Sequence, residues 1–197
     1  MGYEIYFAVA LSYLLGSVSA AIIVCRVMGL GDPREGGSGN PGATNVKRLY
    51  GNKPAAVTLF GDMLKGVIPV VLAYQLDFSA AEVFVIGFAA FIGHLYPLFF
   101  GFRGGKGVAT MMGMLLALSF PVGLAVVATW LFVAKVLKIS SLSALVASLL
   151  APVYIYFIDA EMSWVIGSAV MTLILFWRHR SNIQRLLNGE ESLIKKN

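Results

Sequence analysis

Residues 107–138 read GVATMMGMLLALSFPVGLAVVATWLFVAKVLK, with no charge before Lys135. A helix that crosses a bilayer core needs about 20 apolar residues, so this run is long for one crossing and short for two. Pro121 and Gly123 mark its middle as a place for a helix to stop. Length alone leaves open one interrupted helix or two spans, 107–120 and 121–137. Charge decides between them. Further apolar stretches lie at 3–26, 54–75, 82–100, 142–158 and 162–177. With two spans in 107–137 the total is seven, and the cytoplasmic segments and span ends then hold all fifteen Lys and Arg. The opposite side holds Glu4, Asp77, Glu82, Asp159 and Glu161. Merging the two spans would move Lys135, Lys138 and the basic tail across, against the positive-inside rule. The expected fold is therefore all-α: a polytopic membrane bundle of seven transmembrane helices, N-terminus outside and C-terminus cytoplasmic. The short fourth span is expected to start in a protein-lined recess.

Composition agrees. Of 197 residues, 58% are hydrophobic and 13% charged, against about 25% charged in an ordinary soluble domain. Residues 1–197 leave no room for a separate soluble domain and read as a single integral membrane domain. The formal charge of +5 would suggest nucleic acid in a soluble protein, but here the bases flank spans, so no nucleic-acid partner is expected. One cysteine, Cys25, excludes an intramolecular disulfide and reads as a small packing residue. Ser17-Val18-Ser19-Ala20 has the look of a signal-peptide cleavage site, but no base precedes Arg26. The first span is expected to be retained.

The cytoplasmic loops carry more than connection requires. The loop from Val27 to Lys53 exceeds the length at which structureless loops are usually functional. Its centre reads Gly37-Ser38-Gly39-Asn40-Pro41-Gly42-Ala43-Thr44-Asn45-Val46, followed by Lys47 and Arg48. Glycines let backbone N–H groups approach an anion, and a helix start beyond them adds donors. Ser38, Thr44 and Asn45 are polar donors, and Arg48 offers a fork for phosphate. Val46, Leu49 and Tyr50 recur at helical spacing, which predicts a short interfacial helix. Gly37 to Gly42 also fits G-x-G-x-x-G, but the dinucleotide fingerprint requires a preceding strand, and here a membrane helix precedes it.

The second loop reads Gly101-Phe102-Arg103-Gly104-Gly105-Lys106-Gly107. It is no Walker A sequence, because its spacing is one residue short and Gly107 stands where Ser or Thr is needed. Glycines with Arg103 and Lys106 at a helix start nevertheless suit an anion. In the third turn, Ser140, Ser141 and Ser143 could cap the sixth helix. In the tail, His179 and Asn182 share a helical face, and Ile183, Leu186 and Leu187 form an apolar strip. Asp62 and Lys65, three apart within the second span, read as a structural pair, since charges there are expensive unless paired. His94, with no evident charged partner, reads as a packing histidine.

Two anion-suited loops and a His/Asn tail on one membrane face, beside an apolar bundle, point to an amphiphilic substrate bearing phosphate. Two histidines and few cytoplasmic acids make a catalytic zinc site unsupported, so neither metal nor cofactor is expected. A lipid transporter is the competing class. It would need access from both faces and often shows internal repeats, and neither is evident here.

Taken together, the segments 37–46, 104–110 and 179–186 resemble the bacterial membrane acyl-phosphate:glycerol-3-phosphate acyltransferases. The similarity extends to Leu15-Gly16-Ser17 and Asp62-Met63-Leu64-Lys65-Gly66. The resemblance implies a seven-span protein of the bacterial inner membrane with its active site facing the cytoplasm. The implied reaction is acyl transfer from a fatty acyl phosphate to the sn-1 hydroxyl of glycerol 3-phosphate, giving lysophosphatidic acid and phosphate for phospholipid synthesis. The implied partners are those two substrates and membrane lipids. On the matching positions, Ser38, Arg48, Lys106, His179 and Asn182 are implied to be catalytic. Gly37, Gly39, Asn40, Thr44, Asn45, Gly104, Gly105, Gly107 and Ser143 are implied to bind substrate, with Ser141 the rival of Ser143. Asp62, Lys65 and Glu191 are implied to be structural, and Glu190 competes with Glu191. Lys47 stands where many relatives are apolar.

Overall fold

The computed structural model describes residues 2–194, and their regular structure is all helix, with no strand among them. The chain forms two compact units, dividing between Leu118 and Ser119.

The first unit holds α1 (Glu4–Gly16), α2 (Ala20–Val27), α3 (Ala43–Tyr50), α4 (Asn52–Gln75), α5 (Ala80–Leu95), a 3-10 turn (Leu98–Phe100) and α6 (Val108–Leu118). Its apolar helices pack backbone to backbone at glycines. A Cβ on Gly16 would run into the Ala90 carbonyl, and one on Gly93 into that of Tyr13, so α1 lies directly on α5. The Ser12 hydroxyl donates across the same crossing to the Ile86 carbonyl at 2.5 Å. Gly66 and Gly113 play the same part between α4 and α6, against the carbonyls of Thr110 and Met63. In lipid, helix association relies on such close van der Waals approach because there is no hydrophobic drive between apolar helices.

The first apolar stretch differs from the single span expected. It bends by 43° between α1 and α2. Ser17 folds its hydroxyl back onto the Tyr13 carbonyl at 2.9 Å, and Ser19 is extended at φ −82°, ψ 102°. The break leaves the Val18 carbonyl outside the helical ladder. Lys65 Nζ donates to it at 3.0 Å, which satisfies a group that lipid could not.

α3 is the expected short helix. Val46 is fully buried with Ala21, Cys25 and Ala55, and Leu30 and Tyr50 pack over them. Cys25 is thus the packing residue its context suggested.

The second unit holds α7 (Phe120–Leu137), α8 (Ser140–Ile158), α9 (Met162–Arg178) and α10 (Arg180–Leu187). Hydroxyls tie its helices. Thr129 and Tyr154 share a 2.8 Å hydrogen bond between α7 and α8, and Thr172 donates to the Ser148 carbonyl on α8 at 2.7 Å. Beyond α10 the chain returns to the α7–α8 turn, where Ile194 N donates to the Lys138 carbonyl at 2.7 Å. The serines of that turn do not cap α8 as expected. Ile139 occupies the N-cap position and no side chain caps there.

α4, α7, α8 and the stretch Ala80–Phe100 are each long and apolar enough to cross a membrane, and α1 with α2 makes a fifth candidate. α6 and α9 are shorter apolar helices. Large apolar side chains such as Phe7, Phe60, Phe132, Phe157 and Leu173 point outward, a surface suited to lipid and not to water.

Candidate functional site

Asn45 organises the first glycine loop. Its Oδ1 accepts from the Ser38 amide at 2.9 Å, and its Nδ2 donates to the carbonyls of Pro33 at 2.8 Å and Gly36 at 3.1 Å. The side chain is buried. Its contacts make it the scaffold of the loop, where the sequence suggested a substrate ligand. Gly37 has φ +59°, and a Cβ there would strike Asn45 Oδ1. The glycine is therefore required twice, for conformation and for space. Ser38 and Gly39 are held exposed at the tip and Asn40 is half-buried. Thr44 and Arg48, one turn apart, both lie on the exposed side of α3.

Asp32 and Arg34 brace the same loop. Arg34 Nη2 lies 2.6 Å from Asp32 Oδ2, and Asp32 Oδ1 accepts from the Arg34 amide at 2.9 Å. The Arg34 side-chain hydrogen bonds hold the Asp32 carboxyl below its ordinary range. The Arg34 guanidinium also sits 6.0 Å from the centre of the Phe100 ring, a cation–π distance that links the first loop to the approach of the second. Sequence reading passed over this pair, whose only signal was an acid and a base two apart beside Pro33.

The second loop leaves α5 through the 3-10 turn and reverses at Gly101, which is left-handed at φ +63°. It then runs back along the end of α5. Gly105 N donates to the His94 carbonyl at 3.1 Å. A Cβ on Gly104 would meet that carbonyl too, and one on Gly105 would meet the His94 ring. Gly107, at φ +87°, lies against Phe91 and immediately precedes α6. Lys106 is half-buried between two buried glycines.

His94 does have a charged partner, contrary to the sequence reading. Its Nδ1 lies 3.5 Å from Asp62 Oδ1, and Asp62 pairs with Lys65 Nζ at 2.9 Å. All three side chains are about 95% buried or more. Asp62 and Lys65 are thus paired with each other, and Lys65 also closes the break before α2.

In the second unit, Glu191 is the hub. Its Oε1 accepts from Asn182 Nδ2 at 2.6 Å and from the Ser141 hydroxyl at 2.8 Å, and its Oε2 accepts from Arg185 Nε at 2.7 Å. Burial raises the Glu191 carboxyl, but the donors of Asn182, Ser141 and Arg185 outweigh it and hold the group below its ordinary value. Glu190 is exposed, so the acid that serves the tail is Glu191. His179 closes α9 with Nδ1 2.8 Å from the Leu175 carbonyl and is 3% exposed. Ser143 is buried and donates to the Ile139 carbonyl at 2.8 Å, outside the Glu191 cluster. Leu187 is fully exposed beyond the half-buried Ile183 and Leu186.

Comparison with known proteins gives a consistent picture. A family model described as glycerol-3-phosphate acyltransferase matches residues 6–189. A glycerol-3-phosphate acyltransferase of Hydrogenovibrio crunogenus is 71% identical, over 95% of this chain and 90% of its own. That of Thioalkalivibrio sulfidiphilus is 53% identical, over 93% and 90%. Among solved structures, the glycerol 3-phosphate form of PlsY (YgiH), an integral membrane glycerol 3-phosphate acyltransferase, superposes with a TM-score of 0.92 at 36% identity, covering 98% of this chain and 96% of that one. Its lysophosphatidic acid form gives 0.90 at 35% identity, over 96% and 95%.

Proposed function

Because the chain belongs to the glycerol-3-phosphate acyltransferase family, we propose that its acyl donor is a fatty acyl phosphate and its product 1-acyl-glycerol 3-phosphate. The sn-1 hydroxyl oxygen attacks the acyl carbonyl carbon. The carbon–oxygen bond to phosphate breaks, and the hydroxyl proton leaves with inorganic phosphate or a base. Acyl phosphate is a mixed anhydride, so it arrives activated and no covalent acyl-enzyme is required. The enzyme's task is to hold two anions together and align hydroxyl with carbonyl.

The observation that carries this reading is the construction of two glycine loops, each rigidly braced and each associated with a cation, Arg48 or Lys106. These cations and the loop amides neutralise phosphate and stabilise charge on the leaving group. Ser38, Gly37, Gly39, Asn40 and Thr44 present the first loop to substrate, with Asn45 behind them. Gly104, Gly105 and Gly107 shape the second around Lys106 for glycerol 3-phosphate. His179 and Asn182 position glycerol 3-phosphate, with Ser143 assisting. The base is His179 or a phosphate oxygen of a substrate. The whole chain works as one integral membrane acyltransferase domain of seven spans, in the bacterial inner membrane with its loops in the cytoplasm. The distribution of charge along the sequence supports that orientation.

The test is turnover by purified protein in detergent or lipid, supplied with glycerol 3-phosphate and either palmitoyl phosphate or palmitoyl-CoA. Lysophosphatidic acid from the acyl phosphate alone is the expected result. Product only from the thioester would overturn the donor assignment.

A further inference from the structure

We propose that His94 is a positioning residue for the second glycine loop, and through it for Lys106, with Asp62 and Lys65 fixing the imidazole. The proposal rests on the reading of that loop as the glycerol 3-phosphate site.

The imidazole is held from two sides. Its Nδ1 edge faces Asp62 Oδ1 at 3.5 Å, and its Nε2 edge fills the space where a Gly105 side chain would stand. The His94 carbonyl takes the Gly105 amide at 3.1 Å, so ring and backbone of one residue together seat the loop. Asp62 is in turn fixed by Lys65 at 2.9 Å, and Lys65 by the Val18 carbonyl at 3.0 Å. A continuous series of polar contacts thus runs from the break between α1 and α2, through α4, to the residue immediately before Lys106. In an apolar bundle a buried polar group is costly unless something faces it, and the group that faces this ring is the Asp62 carboxylate. Its geometry carries the α4–α5 packing into a fixed place for the loop.

The experiment uses the full chain and two readouts. The first is KM for glycerol 3-phosphate against KM for palmitoyl phosphate. The second, independent of activity, is amide hydrogen exchange of the segment 101–107. His94→Ala is expected to raise KM for glycerol 3-phosphate roughly tenfold or more, to leave the donor KM within about twofold of wild type, and to speed exchange in 101–107. His94→Asn keeps an N–H near the position of Nδ1 and is expected to recover most of the KM. Gly105→Ala places a methyl group against the ring and is expected to reproduce the defect. Added to His94→Ala it should cost little more, because the obstruction is gone. Unchanged exchange and unchanged KM in His94→Ala would overturn the proposal, and so would additive effects of the two substitutions. An equal rise in both KM values with a fall in Tm would assign His94 a merely structural part and overturn it as well. Should His94→Ala fail to fold, His94→Asn and Gly105→Ala carry the same comparison. A wild type inactive with either donor would refute the acyltransferase reading, while the exchange data would still decide the loop's support.

Discussion

Asn182 Nδ2 and Glu191 Oε1 are 2.6 Å apart, a charge-assisted hydrogen bond that spans nine residues and turns the tail back on itself. The carboxylate has two further donors, from Ser141 and Arg185, so removing it strands three groups at once. Glu191→Ala is expected to lower stability by about 1–3 kcal/mol, the cost of leaving buried hydrogen-bonding groups without their partner, and to abolish turnover by releasing Asn182. Glu190→Ala should stay within about 0.5 kcal/mol of wild type, as exposed substitutions do. Thermal unfolding of both variants in the same detergent checks the contrast. Equal effects would show that the wrong acid has been assigned.

The same carboxylate sets a pH dependence. Its folded-state pKa lies below the ordinary value of 4.5, so its stabilisation is complete above that value and disappears as pH falls through the folded pKa. Tm should therefore decline on acidification below about 4.5, and Glu191→Gln should flatten part of that decline. Asp32, held low by Arg34, accounts for a further part, which Asp32→Asn should remove.

Asn45 separates scaffold from ligand. Asn45→Asp keeps the acceptor for Ser38 N but loses both donors, to Pro33 and Gly36. It also places a carboxylate beneath a loop read as an anion site. Each buried carbonyl left without its donor costs about 1–3 kcal/mol. Asn45→Asp is expected to lose activity more completely than Thr44→Ala, whose side chain is exposed. Steady-state kinetics with a Tm for each variant measures this, and similar losses in both would contradict the scaffold role.

The buried ion pair gives a double-mutant test. Lys65→Met leaves Asp62 without its cation and the Val18 carbonyl without its donor, and should cost about 3–5 kcal/mol, as breaking one side of a buried pair does. Lys65→Met with Asp62→Leu should be less damaging than Lys65→Met alone, because no charge is left stranded. Unfolding of the three variants decides it. A double variant worse than Lys65→Met would place the importance of Asp62 outside the pair.

Much of this was legible in the sequence because membrane helices announce themselves by length and apolarity. Helices stand where all seven apolar stretches were expected, and the run that begins at Gly107 does divide, at Ser119. The bend at Ser17 was not legible, since hydropathy averages across a break that keeps its apolar flanks. His94 and Asp62 are 32 residues apart on different helices, and no local pattern joins them. Asn45 was read as a ligand because a polar residue in a glycine loop looks the same in sequence whether it faces outward or inward. Glu191 was preferred to its neighbour Glu190 on resemblance alone, and the contact that distinguishes them, with Ser141, lies 50 residues away in sequence.

One consequence of the Asp62–Lys65 arrangement concerns how the protein enters the bilayer. A lone Asp or Lys at the centre of an inserting helix costs about 2.5–3.5 kcal/mol on the translocon scale. Here the two are three residues apart on a single helix, so α4 carries its own counter-ion and presents the insertion machinery with no net charge at that depth. It can partition before His94 or the Val18 carbonyl reaches it. Moving either charge to a neighbouring helix would preserve the finished contacts and still make biogenesis depend on the order in which the helices arrive.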